Sequence, residues 1–402
     1  MADFGGSDLE GFRAEAREWL AANFPKSLAG KGEKIMSDAQ WGVPMTGDAE
    51  TWRATMGAKG WGVPMWPKAY GGGGLSPAEA RVLGQEMATI GAYSPIGGMG
   101  VAMFGPTLLE YGTEAQKQQH IPPIARGDIR WCQGFSEPGA GSDLASLSTK
   151  CEDKGDHYLI NGSKIWTSGA QFSQWIFCLV RTDTTKKHEG ISFLVFEMDL
   201  PGVEARPIPL INGDAPFCET FFTDVKVAKE NLVGPLNGGW TIAKRLLQHE
   251  RSNMDGGRRP GGKTVALGVS AKQYVEVDDQ GRIADGDLRT RVAQNDMEAR
   301  VIALTVARIA AEAKGNAGPS ATTSIMKNAF MTMAQTRAEL TIEIRGWRGQ
   351  GWEGEEFTPD ELGQVRAWLY GKAGSIYGGS QEVQSNITAK RILGLPDLNS
   401  SH

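Results

Sequence analysis

Glu250 is a carboxylate that helical spacing sets among apolar residues, where a side chain could take up a proton or pair with a distant cation. From Gly239 onward, Trp240, Ala243, Leu247, Glu250 and Met254 recur every three or four residues, so a helix there puts Glu250 on an apolar stripe. Burial disfavours the ionised form and raises a carboxyl pKa towards neutrality, which suits a general base for a weakly acidic proton. A Glu paired with an Arg or Lys of another helix is the competing reading of the same pattern. Two further stretches offer ligand donors. The run Trp131-Cys132-Gln133-Gly134-Phe135 reads as a strand, and Ser136-Glu137-Pro138-Gly139-Ala140-Gly141-Ser142-Asp143 turns after it, with open backbone N–H groups and the hydroxyls of Ser136 and Ser142 available to a polar ligand edge or a phosphate. A plain structural turn has the same composition. Lys164-Ile165-Trp166-Thr167-Ser168 again ends an apolar strand on a wide aromatic and hydroxyls, and two such strand ends suggest one flat ligand.

These residues need a frame to hold them. Residues 7–23 carry Leu9, Phe12, Ala16, Trp19 and Leu20 at helical spacing behind a Ser7/Glu10 capping box, and Pro25 ends the helix. An irregular stretch runs to Asp48, a second helix towards Lys59, and a loop rich in Trp, Pro and Gly over 61–74 packs its aromatics on helices. Ser76-Pro77-Ala78-Glu79 caps a helix to about Ile90, and Thr113 opens a short one before Ile121-Pro122-Pro123. From Trp131 the pattern becomes β. The turn Asn161-Gly162 between residues 157–160 and 163–166 predicts a hairpin, and 175–180, 191–198 and 219–227 are further strands. Helical periodicity returns at Gly239. Residues 287–314, closed by Gly315, residues 320–345, a helix capped by Thr358-Pro359-Asp360-Glu361 and one opened by Ser380 form a bundle. The expected fold is mainly α with a central β domain: 1–129 helical, 130–236 β, 237–402 a four-helix bundle. No GxGxxG follows a strand, which argues against a Rossmann fold.

The chain of 402 residues exceeds a minimal binding module, and its net charge of −5, with both signs interspersed, predicts neither nucleic acid nor an anionic membrane as partner. Cys132, Cys151, Cys178 and Cys218 lie far apart without a CxxC, so reduced thiols and a cytoplasmic location are expected. An acidic N-terminus without an apolar run predicts a soluble, unexported protein. His249 has no second His at ligand spacing and reads as helix packing, so no metal is expected.

Residues 135–143, residues 164–168 and Ile376-Tyr377-Gly378-Gly379-Ser380-Gln381-Glu382-Val383-Gln384 resemble three signatures of the acyl-CoA dehydrogenases, in the same order and spacing, as far as Arg391-Ile392-Leu393-Gly394-Leu395-Pro396. Residues 131–135 and 247–251 are most similar to the bacterial branch that includes pimeloyl-CoA dehydrogenase large subunits. The resemblance implies a middle β-barrel, an FAD cofactor and conversion of an acyl-CoA to a trans-2-enoyl-CoA, with electrons passed to an electron-transfer flavoprotein. It places Gln133, Phe135, Ser136, Trp166 and Ser168 along the isoalloxazine, Ser142 nearer phosphate or CoA, Arg251 on CoA, Ser380 on cofactor phosphate or ribose, and Glu382 near the adenine. In one part of the family the base follows the Tyr of the last signature, but here that residue is Gly378. In another part it precedes the Arg of the helix from Gly239, which implies Glu250 as the catalytic base.

The family's Arg-x-x-Phe-Gly element has no counterpart in residues 256–262 or 275–278, and residues 345–352 are an imperfect version of its glycine-rich cofactor contact. A homodimer, homotetramer or heterotetramer is expected from the resemblance. The alternatives are a subunit of a heteromeric dehydrogenase with an incomplete site of its own, and a flavin oxidase on the same fold.

Overall fold

The computed structural model describes residues 9–256, 266–312 and 322–396, with side chains described outside 250–256, 310–312 and 322–323. Backbone contacts group these residues into two compact units: 9–208 with 216–250, and 209–215 with 251–256, 266–312 and 322–396. Ser7, Gly315 and Ser320, and with them three of the expected helix-end signals, lie outside the described residues.

The first unit opens with α1 (Leu9–Asn23), α2 (Gly32–Gln40), α3 (Asp48–Lys59), α4 (Pro77–Thr89), α5 (Gly105–Tyr111) and α6 (Glu114–Arg126). α4 and α6 begin in complete capping boxes, Ser76 with Glu79 and Thr113 with Gln116, each pair satisfying two backbone donors that a helix start leaves open. Trp61 is buried with its ring 4.8 Å from Trp19, as expected of the aromatic loop. Two expectations fail here. The stretch before Asp48 contains α2, whose buried positions are only Gly32 and Ala39, too few to give a clear periodicity. α6 also continues through Pro122 and Pro123 to an αL Gly127; the burial of His120, Ile121, Ile124 and Ala125 outweighs the backbone hydrogen bonds that the prolines cannot donate.

The sheet comprises β1 (Trp131–Gly134), β2 (Lys150–Asp153), β3 (His157–Ser168), β4 (Trp175–Arg181), β5 (Ile191–Glu197), β6 (Val203–Ile208) and β7 (Phe217–Ala228), ordered β1-β4-β2-β3-β7-β6 with β5 on the other edge of β4. The predicted Asn161-Gly162 hairpin does not exist. β3 runs straight through both residues, and the chain reverses earlier, between Asp153 and His157. Asn161 instead exchanges hydrogen bonds with Asp224 across a bulge in β7 (3.0 and 2.9 Å), and Gly162 is needed because a Cβ there would come within 2.8 Å of the Thr149 Cα. β2 and β6 are not foreseen from the sequence; both are short and alternate weakly.

α7 (Gly239–Gly256) comes next, buried through Ile242, Ala243 and Leu246 in the core formed by Phe104, Phe177 and Phe193. Trp240 and Leu247 only flank that core, so the apolar stripe is rotated from the expected one. The second unit holds α8 (Leu267–Ala271), α9 (Gly286–Glu312), α10 (Thr322–Arg345), α11 (Pro359–Gly371) and α12 (Gln381–Ile387), with Leu288, Val292, Leu340 and Ile344 in its core. The Thr358/Glu361 capping box and the Ser380 cap start α11 and α12 as expected. The fold class is therefore the anticipated one: helices, a curled sheet, then a helical bundle.

Candidate active site

The ends of β1 and β3 meet. The Ile165 N–H donates to the Ser136 carbonyl at 2.8 Å, although β1 and β3 are not neighbours in the strand order. Beyond Ile165, a bulge decides which way the side chains of β3 face. Tyr158, Ile160 and Lys164 are the inward residues, and a period of two would next bury Trp166. Instead Lys164 pairs with Thr220 and Thr167 with Cys218, leaving two residues of β3 opposite one of β7. Trp166 takes φ +62°, stays 53% exposed, and rests its ring edge-on against Phe217 at 6.0 Å. A bulky residue in the left-handed region costs about 1–3 kcal/mol and persists only when its surroundings hold it.

The hydroxyls of Ser136, Ser142 and Ser168 make no hydrogen bond to the described residues, and a Cβ at Gly139 or Gly141 would meet nothing within 4 Å. Of these, Ser136 is tied through its carbonyl to the residue before the exposed indole, and Ser168 lies two residues after it. Gln133 is half-buried near Ser136 in sequence. Phe135 differs: its side chain is buried between Phe177 (5.9 Å) and Phe193 (6.2 Å), away from a ligand at this edge.

Glu250 and Arg251 lie on α7, one helical turn beyond Leu246 and Leu247, but their side chains are outside the described residues. The turn before them is anchored. Arg245 donates to both oxygens of Glu110 at 2.8–3.1 Å, and His249 Nε2 stands 3.3 Å from the same carboxylate. The Arg245 hydrogen bonds hold the Glu110 carboxyl below the usual range, while burial holds the His249 imidazole below its own. Sequence reasoning misses this anchor, because nothing local links residues so far apart in the chain.

In the second unit, Ser380 accepts the Val383 N–H at 3.3 Å as an ordinary N-cap, and Glu382 is exposed with its carboxyl lowered by its own backbone N–H and by Ser380. Gly378 and Gly379 have φ of +66° and +87°. Their carbonyls are fixed by Gln384 Nε2 (2.7 Å) and by the buried Lys327 Nζ (2.6 Å). Trp347, 60% exposed, carries the Arg348 guanidinium 4.6 Å from its ring. Among the described residues no group of three His, Cys, Asp or Glu could hold a metal, and no helix is long and apolar enough to cross a membrane. All four cysteines are free and buried.

Three family models match successive parts of the chain: the acyl-CoA dehydrogenase N-terminal domain over residues 7–128, the middle domain over 132–225 and the C-terminal domain over 237–393. The acyl-CoA dehydrogenase IpdE1 of Mycobacterium tuberculosis is 35% identical over 398 residues, covering 97% of this chain and 98% of that protein. Among solved structures, the Tcur3481-Tcur3483 steroid ACAD superposes with a TM-score of 0.74 at 29% identity, covering 98% of this chain and 100% of that one. The ChsE4-ChsE5 complex from Mycobacterium tuberculosis gives 0.72 at 28% identity, covering 99% and 100%.

Proposed function

We propose, starting from the fact that this chain belongs to the acyl-CoA dehydrogenase family and is an oxidoreductase acting on acyl-CoA, that it forms a trans-2-enoyl-CoA with FAD as hydride acceptor. The observation that carries the flavin assignment is the β3 bulge, which holds Trp166 exposed two residues before Ser168, whose hydroxyl bonds none of the described residues. An indole face, main-chain groups and the hydroxyls of Ser136 and Ser168 suit a flat ring system edged with polar atoms, and Ser142 on its open loop suits a phosphate or the CoA. A bound FAD would supply the acceptor for the substrate's β-hydrogen as hydride. Glu250 receives the α-proton, and hydrogen-bond donors at the thioester carbonyl stabilise the developing enolate. Arg251 contacts CoA. Ser380 and Glu382 serve the distal part of the cofactor, and Gln133 and the Phe135 main chain lie along its ring. The electron acceptor is an electron-transfer flavoprotein. The division at 129/130 and 236/237 belongs to the same proposal.

Anaerobic single-turnover bleaching of the flavin by short, long, branched, dicarboxylic and steroid-derived acyl-CoAs tests this reading. Wild type should bleach with at least one thioester, and Glu250→Gln should hold FAD but bleach on the order of 10²–10⁴ slower. Equal rates would refute Glu250 as the base.

A second reading is favoured by two structural neighbours that are named as pairs of chains, one of them a steroid enzyme. In it, this chain is one subunit of a heteromeric dehydrogenase for a steroid-derived acyl-CoA, with the distal half of its cofactor site completed by the partner. The lone chain would then purify colourless and turn yellow only when co-expressed.

A further inference from the structure

The geometry points to Glu137 and Lys164 as a positioning pair that sets the strand ends for the cofactor, an inference that rests on the flavin reading above. Both charges are removed from water: Lys164 is 0% exposed and Glu137 6%. Lys164 Nζ donates to Glu137 Oε1 at 2.7 Å and to the Phe135 carbonyl at 3.2 Å. Glu137 Oε1 also accepts from Thr149 N (2.9 Å) and Oγ1 (2.6 Å), while Oε2 accepts from Ser148 N (2.7 Å) and Oγ (2.8 Å). Burial pushes the Glu137 carboxyl up, but the Lys164 charge and these donors overcome it and hold the group at about 2.

The Ser136 carbonyl holds the Ile165 N–H, so three consecutive residues of the β1 turn are each tied to Lys164 or Ile165. Those ties sit immediately before the bulge that turns Trp166 outward; the Gly169 N–H to Pro216 carbonyl bond, 2.8 Å, fixes the chain beyond it. Stability alone does not call for an ion pair here, since a buried pair is often matched or bettered by apolar side chains of similar volume. Apolar burial is non-directional, however, and cannot choose which residue of β3 faces the Phe135 carbonyl. The pair supplies that direction. It therefore fixes Ser136 and Trp166 relative to each other without touching the ligand.

The test compares wild type, Lys164→Met, and the neutral double variant Glu137→Gln with Lys164→Met, by thermal unfolding, by the visible flavin spectrum and by FAD titration of apoprotein. Lys164→Met alone should unfold at lower temperature, because it leaves a buried carboxylate without its counter-charge. The double variant should regain part of that loss, since the glutamine amide keeps one acceptor oxygen for the Ser148 and Thr149 donors, yet bind FAD about tenfold or more weaker, with a blurred flavin band, as expected when a site's partners are present but misaligned. A double variant whose FAD affinity and spectrum return together with its stability overturns the inference and leaves the pair a structural one. Should the double variant fail to fold, Lys164→Arg, which keeps the charge but not the reach of a single ammonium, is titrated instead; unchanged FAD affinity there also overturns it. A wild type that binds no flavin, alone or with a partner subunit, removes the flavin reading itself, an outcome distinct from either.

Discussion

Acidification should destabilise the sheet-bearing unit through one imidazole, that of His120. It is 1% exposed, and its ring lies 4.6 Å from Trp175, 5.2 Å from Trp131 and 6.3 Å from Phe104, with Nε2 buried and lacking a hydrogen-bond partner. Burial lowers its pKa from 6.5 to about 4. The folded state thus holds the neutral form, and its contribution is complete above the unfolded value and lost as pH falls from there towards about 4. With those two values, linkage gives a loss of about 2 kcal/mol between about pH 7.5 and about pH 5, rising to ~3 kcal/mol below the folded value. His120→Phe keeps a ring in the aromatic box and removes the titration. Urea unfolding of both proteins, followed by circular dichroism at those two pH values, should show the variant losing about 2 kcal/mol less than wild type. Equal losses would mean that the imidazole does not titrate as its burial requires.

Other effects trace to single residues. Gly162→Ala should lower the unfolding temperature by several degrees, since its Cβ must displace Thr149 and its φ of +147° suits glycine; calorimetry reads it. Ser76→Ala should cost about 1 kcal/mol, because it removes one half of a capping box; urea unfolding reads it. Gly378→Glu should fail to restore turnover to Glu250→Gln, because a φ of +66° charges a side chain for left-handed backbone; flavin bleaching reads it. Dilution below the dissociation constant of the oligomer should cost FAD and turnover, as seen by mass photometry alongside flavin absorbance; a fully active, fully loaded monomer would contradict the oligomer expected of this family.

Local signals were legible wherever the chemistry was local. Ser76, Thr113, Thr358 and Ser380 announce their helices because a cap is satisfied within four residues. Asn161-Gly162 misled for the same reason. The dipeptide has the chemistry of a tight turn, but the long-range pairing of β3 with β7 used it to shift register at a bulge. Lys164 carried a readable clue, an inward parity shared with Tyr158 and Ile160, although its partner Glu137 is identified only once the strand ends are brought together. Glu110 and Arg245 carried none. Phe135 shows the opposite limit: its motif position implied contact with the ring system, while its side chain is buried among Phe177 and Phe193.

The proposed location of the base accords with what each backbone can hold still. At position 378 the chain is left-handed, in a loop whose neighbouring carbonyls are already fixed by Gln384 and Lys327. A long side chain there would need strained backbone as well as its own ordering. On α7 the backbone costs nothing extra. Ile242, Ala243 and Leu246 bury one face in the aromatic core, and Arg245 ties the same stretch to Glu110. General-base catalysis rewards such pre-organisation, since a carboxylate misplaced by about 1 Å forfeits much of its advantage. On the reading proposed above, a base carried by the helix would leave the terminal glycines to make their left-handed turn, where a side chain would cost strain.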